Sequence, residues 1–246
     1  MQKAVFVCAH GAGGHKDDKA MLRLAATLEP LCLEVVRFNF PYREKGSRRI
    51  DPMPVLKEKF VSEIQKAKAR PLIIGGRSMG GRVASMLAAE GLECDGLLLA
   101  AYPLHPAGEP EKLRDAHLPQ IRCPVLCLNG TRDALCRRDL MDAALQKVRT
   151  RWTMHWIDGA DHSFQVLRSS GRSDAEVDRE VQGAVGRWLA QSLYRRATRN
   201  TPPPAATLIQ MIVAPSALPR QSEPNQRLKS SSRTEVLPPK RCSWRT

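Results

Sequence analysis

The pentapeptide Gly76-Arg77-Ser78-Met79-Gly80 constrains this chain more than any other feature, because of what stands on either side of it. Before it runs Pro71-Leu72-Ile73-Ile74-Gly75, a short apolar stretch that reads as a buried strand. After it runs Gly81-Arg82-Val83-Ala84-Ser85-Met86-Leu87-Ala88, with apolar residues at helical spacing. A chain that passes from strand to helix within one serine must turn sharply, and the serine takes the strained position at that turn. The residues two places away on each side must be small, because strand and helix backbones approach closely there. Gly76 and Gly80 meet that demand.

Short apolar runs and longer periodic ones alternate as far as about Leu193. Residues 4–9, 33–38, 72–75, 96–101, 125–129 and 152–157 read as strands, and 19–28, 55–68, 80–89, 140–148 and 175–193 as helices with apolar side chains three and four apart. Valine, isoleucine and leucine occupy both faces of the strand runs, so the sheet must be covered on both sides, as parallel strands joined by crossover helices are. The fold class expected is α/β, a three-layer α/β/α sandwich on a mainly parallel sheet. No internal repeat argues for a solenoid or propeller. From Thr198 the composition shifts to Pro, Ser, Arg and Gln, with Pro202-Pro203-Pro204 and Ser230-Ser231-Ser232. The expectation is one domain over 1–197 and a disordered basic tail over 198–246.

The formal net charge of +14 raises nucleic acid as a partner, but much of the excess lies after Tyr194, in residues such as Arg195, Arg196, Arg199, Lys229 and Arg241. Weak, salt-dependent contact through the tail is the extent of nucleic-acid binding expected. No window approaches the roughly 18 consecutive apolar residues of a membrane span. The apolar start Ala4-Val5-Phe6-Val7-Cys8-Ala9 is broken by His10 and lacks a cleavage pattern, so a cytoplasmic or nuclear address is expected. The seven cysteines form no C-x-x-C pair, and several lie in apolar runs where thiols pack as small hydrophobes. Neither a metal site nor any other cofactor is expected.

A serine hydroxyl is a poor nucleophile near neutral pH, so an exposed Ser78 predicts a histidine base and a carboxylate to orient it. Both should sit on loops just beyond later strands. The apolar run Pro124-Val125-Leu126-Cys127-Leu128 ends in Asn129-Gly130-Thr131-Arg132-Asp133, and Trp152-Thr153-Met154-His155-Trp156-Ile157 leads into Asp158-Gly159-Ala160-Asp161-His162. Asp133 and His162 are the expected partners. His155 shares a strand face with Thr153 and Ile157 and reads as a satisfied structural histidine, while Asp161 is adjacent to His162 and badly placed to meet its ring. Acyl transfer also needs donors for an oxyanion. The backbone N–H of Met79 supplies one, and the small-residue turn His10-Gly11-Ala12-Gly13-Gly14 supplies the second, with Ala12 ahead of Gly13. His105, in Tyr102-Pro103-Leu104-His105-Pro106, is a candidate for the pocket wall. Arg77 and Arg114 read first as solvated loop arginines, with a preference for an acidic acyl group as the alternative.

Taken together, His10-Gly11-Ala12-Gly13-Gly14, Arg37-Phe38-Asn39-Phe40-Pro41-Tyr42, Gly75-Gly76-Arg77-Ser78-Met79-Gly80-Gly81-Arg82, Tyr102-Pro103-Leu104-His105-Pro106, Lys112-Leu113-Arg114 and Ala160-Asp161-His162-Ser163 carry a resemblance. The chain from Met1 to about Leu193 resembles the α/β-hydrolase family that includes testis-expressed protein 30, the hydrolase-like domain of NSL-complex regulatory subunit 3 and small dienelactone-hydrolase-like proteins. The resemblance implies a compact α/β-hydrolase fold and a hydrolase acting on a small-molecule or acyl substrate. It also implies an alternative, a non-catalytic scaffold that binds a protein partner, in chromatin among other settings. About twenty residues separate Ala101 from Val125, too few for a helical lid, so an open site is expected, suited to a small or exposed ester, thioester or amide.

Overall fold

The computed structural model describes residues 3–68 and 70–194. The tail expected over 198–246 lies outside these residues, as do the last three of the domain expected over 1–197. In chain order come β1 (Ala4–Ala9), α1 (Lys19–Leu28), β2 (Leu33–Phe38), α2 (Pro41–Glu44), α3 (Met53–Ala67), β3 (Leu72–Arg77) and α4 (Met79–Ala89). Then follow β4 (Gly96–Ala100), β5 (Val125–Gly130), α5 (Arg138–Leu145), β6 (Trp152–Ile157) and α6 (Asp174–Leu189). All six strands join one sheet in the order β2-β1-β3-β4-β5-β6, and each neighbouring pair is parallel.

Alternation along each strand divides the apolar side chains between two layers. Val5, Val7 and Ala9 of β1 face a core shared with Leu56 and Phe60 of α3, Val83 and Leu87 of α4, and Met141 of α5. Ala4, Phe6 and Cys8 face the other core, built from Met21, Leu24 and Leu28 of α1 and Val177, Val181 and Trp188 of α6. Each such fully buried Phe, Leu or Val contributes about 1.5–3 kcal/mol relative to its exposed state. This is the three-layer α/β/α sandwich that the apolar strand runs imply.

Local chemistry sets the element ends. Asp18 caps α1 by accepting from Met21 N at 2.8 Å, and its second oxygen accepts from His15 N at 3.0 Å, which ties the preceding loop to the helix start. Ser173 and Glu176 form a reciprocal capping box at the start of α6. The short helix α2 has no counterpart in the sequence expectations, since four residues carry no readable period.

From β1 the chain moves to one side for β2 and returns to the other side for β3, so the winding reverses between β1 and β3. Ligand crevices in open α/β sheets lie beyond the carboxyl ends of strands at such a reversal. The elbow stands there. Ser78 follows β3 with φ 50° and ψ −115°, a left-handed backbone that lifts its side chain clear of the sheet. A Cβ on Gly76 would lie 2.2 Å from the carbonyl oxygen of Ala9, and one on Gly80 2.3 Å from the same atom, which is why both flanking positions are glycine. Between β4 and β5 the chain forms only a 3₁₀ turn at Leu118–Gln120 and no inserted helix. Among the described residues no helix is long and apolar enough to cross a membrane.

Candidate active site

Three loops at the carboxyl edge of the sheet bring Ser78, His162 and Asp133 into one hydrogen-bonded row. His162 Nε2 lies 3.0 Å from Ser78 Oγ. On the other side of the ring, Nδ1 lies 2.9 Å from both carboxylate oxygens of Asp133. With the ring proton on Nδ1, the imidazole donates to Asp133 and Nε2 accepts from the Ser78 hydroxyl, the tautomer that a general base requires.

The Asp133 side chain has no solvent exposure, so its negative charge must be met by donors. Leu135 N donates to Oδ1 at 2.8 Å, and the Asn129 side-chain amide donates to Oδ2 at 3.1 Å. Asn129 is itself fully buried at the end of β5 and clamps Tyr102, accepting from its N–H and donating to its carbonyl, each at 3.1 Å. Sequence reading gave Asn129 no role. The available signal was a polar residue closing an otherwise apolar strand, four places before the acid.

The loop after β1 is held as firmly. His10 is buried, and its Nδ1–H donates to Gly11 O at 2.7 Å while Nε2 accepts from Phe40 N at 3.3 Å. Burial pulls its pKa below the usual histidine value, which keeps the ring neutral and able to do both. The Tyr42 hydroxyl donates to Ala12 O at 2.7 Å. The Arg37 to Tyr42 segment therefore positions the small-residue turn. Ala12 and Met79 line one cavity with Ser78, about 440 Å³ in volume. Met79 opens α4, where the first-turn N–H groups have no intrahelical acceptor.

The three further candidates for this cavity lie elsewhere. Arg77 lies across the sheet edge from it, because consecutive residues of a strand point to opposite faces. Its guanidinium donates to the main-chain carbonyl of His162 at 2.5 Å and lines a groove with Arg23, Phe164 and Asp178. Gly13 is exposed at the tip of its turn and is not part of the cavity wall. His105 is buried, donates from Nδ1 to Pro106 O at 2.8 Å and accepts from Arg137 N at Nε2, so it braces the wall from behind. His155 pairs with Glu180 at 2.9 Å on the α6 side of the sheet. The Asp161 carboxylate turns the other way, accepting from Ser163 N and Gln165 N.

A family description, alpha/beta hydrolase domain, matches residues 2–190. The chain belongs to the α/β-hydrolase family. Solved relatives share the fold at low identity. An alpha-beta serine hydrolase homologue from Coxiella burnetii is 20% identical, with 77% of this chain and 86% of that one covered at a TM-score of 0.62. A Xanthomonas campestris a/b serine hydrolase described as lacking a lid is 22% identical, with 78% and 83% covered at a TM-score of 0.58. The esterase domain of a Rhodothermus marinus protein is 16% identical, with 78% and 88% covered at a TM-score of 0.57. As an α/β hydrolase, this chain places its serine, carboxylate and histidine on the loops after β3, β5 and β6. Among the described residues no group of three or more His, Cys, Asp or Glu side chains is placed to hold a metal.

Proposed function

We propose that the protein is a serine hydrolase that cleaves a small or exposed carboxylic ester, thioester or amide through Ser78, His162 and Asp133. The observation that carries this reading is the unbroken row of contacts at 3.0 and 2.9 Å from hydroxyl to imidazole to a buried carboxylate. Ser78 Oγ attacks the acyl carbon and passes its proton to His162 Nε2, while Asp133 stabilises the imidazolium. The oxyanion accepts from the N–H groups of Met79 and Ala12. The imidazolium then protonates the leaving oxygen, sulfur or nitrogen, leaving an acyl-serine. Water, deprotonated by the same imidazole, attacks that acyl group and releases the acid and the free serine. The step needs no cofactor.

The absence of an inserted helix between β4 and β5 supports a small or externally presented acyl group. The closer resemblance to the testis-expressed protein 30 and NSL-subunit group belongs to this proposal, and so does a cytoplasmic or nuclear setting. Cys8, Cys127 and Cys136 are buried thiols outside any disulfide, a state that a reducing compartment preserves. The test is labelling of purified protein with a fluorophosphonate, read by intact mass. Wild type gains one adduct and Ser78→Ala gains none. Folded wild type that takes no label overturns the reading and leaves the hydrolase-like scaffold in its place.

A further inference from the structure

The cavity beside Ser78 joins an apolar wall to two unneutralised cations. Ile50, Met53, Leu56, Met79, Pro103 and Leu135 supply the wall, and Arg82 and Arg114 also line the space. Arg82 stands one helical turn after Ser78 and so shares its side of α4. Arg114 comes from the β4–β5 connection, where its backbone is pinned by Arg114 N donating to Leu104 O at 2.7 Å and by the Tyr102 hydroxyl donating to Arg114 O at 2.8 Å.

Neither guanidinium has a counter-ion. Among the described residues no carboxylate lies within 4.0 Å of either, and Arg82 Nε is buried without a hydrogen-bond partner. The acid in the cavity wall, Asp51, accepts from Tyr42 N at 2.8 Å and makes no ion pair with either arginine. Glu109, near Arg114, is paired with Lys112. Burial and the field of Arg82 together pull the Arg114 pKa down, so the two cations repel each other across a partly desolvated space. Arg114 Nη1 donates to Pro103 O at 3.5 Å, a neutral acceptor that leaves its charge uncompensated. Two like charges near each other without a counter-ion are the arrangement that a bound anion relieves.

Resting on the hydrolase reading above, we propose that this cavity selects substrates bearing a carboxylate, with the scissile carbonyl at Ser78, an apolar spacer along the wall and the anion held by Arg82 and Arg114. The carboxylate can be carried by the acyl group or by the leaving group. Two matched comparisons separate these: mono(4-nitrophenyl) adipate against 4-nitrophenyl hexanoate, and 4-acetoxybenzoate against phenyl acetate. In one of them kcat/KM for the anionic ester exceeds that of the neutral ester by about ten-fold or more, as one charge-assisted contact worth about 1.4 kcal/mol implies. Arg82→Gln and Arg114→Gln each collapse that ratio, and Arg82→Lys retains part of it.

Free adipate, added to wild type, slows fluorophosphonate labelling of Ser78 more than hexanol does, which tests the anion without any substitution. Wild type that labels at Ser78 yet prefers neutral esters in both comparisons overturns the subsite and leaves the hydrolase intact. An anionic preference unmoved by both glutamine variants, each shown folded by its thermal melt, also overturns it. Wild type that does not label overturns the hydrolase and the subsite together.

Discussion

The Arg77 guanidinium donates to the main-chain carbonyl of His162 at 2.5 Å, so the residue before the elbow serine in sequence holds the residue whose ring faces that serine in space. Strand alternation makes this possible. Ser78 rises toward one side of the β3 terminus, and Arg77 reaches round the other to the loop after β6.

Loss of that brace should loosen the imidazole without removing it. Arg77→Met is expected to lower kcat by about ten- to a hundred-fold with KM little changed, since sub-ångström misplacement of a base is costly. Arg77→Lys, which can still donate one bond, recovers part of the loss. Steady-state kinetics on a short acyl ester separate this from a substrate-binding role, in which KM would rise instead.

Asn129 ties the carboxylate of Asp133 to the backbone of Tyr102. Asn129→Ala leaves several buried polar groups short of a partner and is expected to destabilise the fold by about 2 kcal/mol. The same variant should slow fluorophosphonate labelling. Denaturant unfolding and labelling rate, measured together, check both; full labelling speed would assign the residue to the fold alone.

The bond from the Tyr42 hydroxyl to Ala12 O fixes the turn that offers the proposed second oxyanion donor. Tyr42→Phe removes one hydrogen bond and keeps the ring, for an expected stability cost of about 1 kcal/mol. If Ala12 N–H serves the oxyanion, kcat falls by more than this stability loss explains, and KM stays close to its wild-type value.

His117 accounts for a pH dependence of stability. Its Nε2 meets Ser85 Oγ at 2.8 Å, and burial followed by the field of Arg82 lowers its pKa from 6.5 to about 4. The unfolded chain takes up the proton before the folded one does, so stability is fully present above pH 6.5 and declines as pH falls toward 4. Carboxylates titrate in the lower part of that window too, so the check is a difference. Unfolding free energy measured from pH 7 to pH 4 should fall less steeply in His117→Gln than in wild type.

Much of this architecture can be read from residue patterns, and the reasons are local. β1 and β6 match the expected bounds because apolar runs bracketed by polar or turn residues define a buried strand from its own composition. β3 runs on to Arg77 beyond the expected end at Gly75, since main-chain pairing with β4 continues through the glycines. Ser78, His162 and Asp133 are legible because each occupies a loop at a strand end that the chain order announces. Arg77, His105 and Gly13 show the opposite case. Nearness to the serine or to the sheet edge suggests the cavity, but the direction of a side chain depends on partners such as His162 O, Pro106 O and Arg137 N that lie far off or across a turn. Asn129 and Tyr42 matter through contacts that no spacing rule encodes.

The connection between β4 and β5 folds as turns pinned by Tyr102 and Arg114 and carries no hinged helix. With no inserted helix in this connection to swing aside, the β4–β5 segment offers no reason for an oil–water interface to speed turnover. Rates on a sparingly soluble ester should therefore follow the dissolved concentration smoothly and show no jump where droplets form. Under the proposed hydrolase reading, discrimination among substrates then falls to the side chains lining the cavity and not to movement of this connection, so selectivity should appear as differences in kcat/KM set by contacts with those walls.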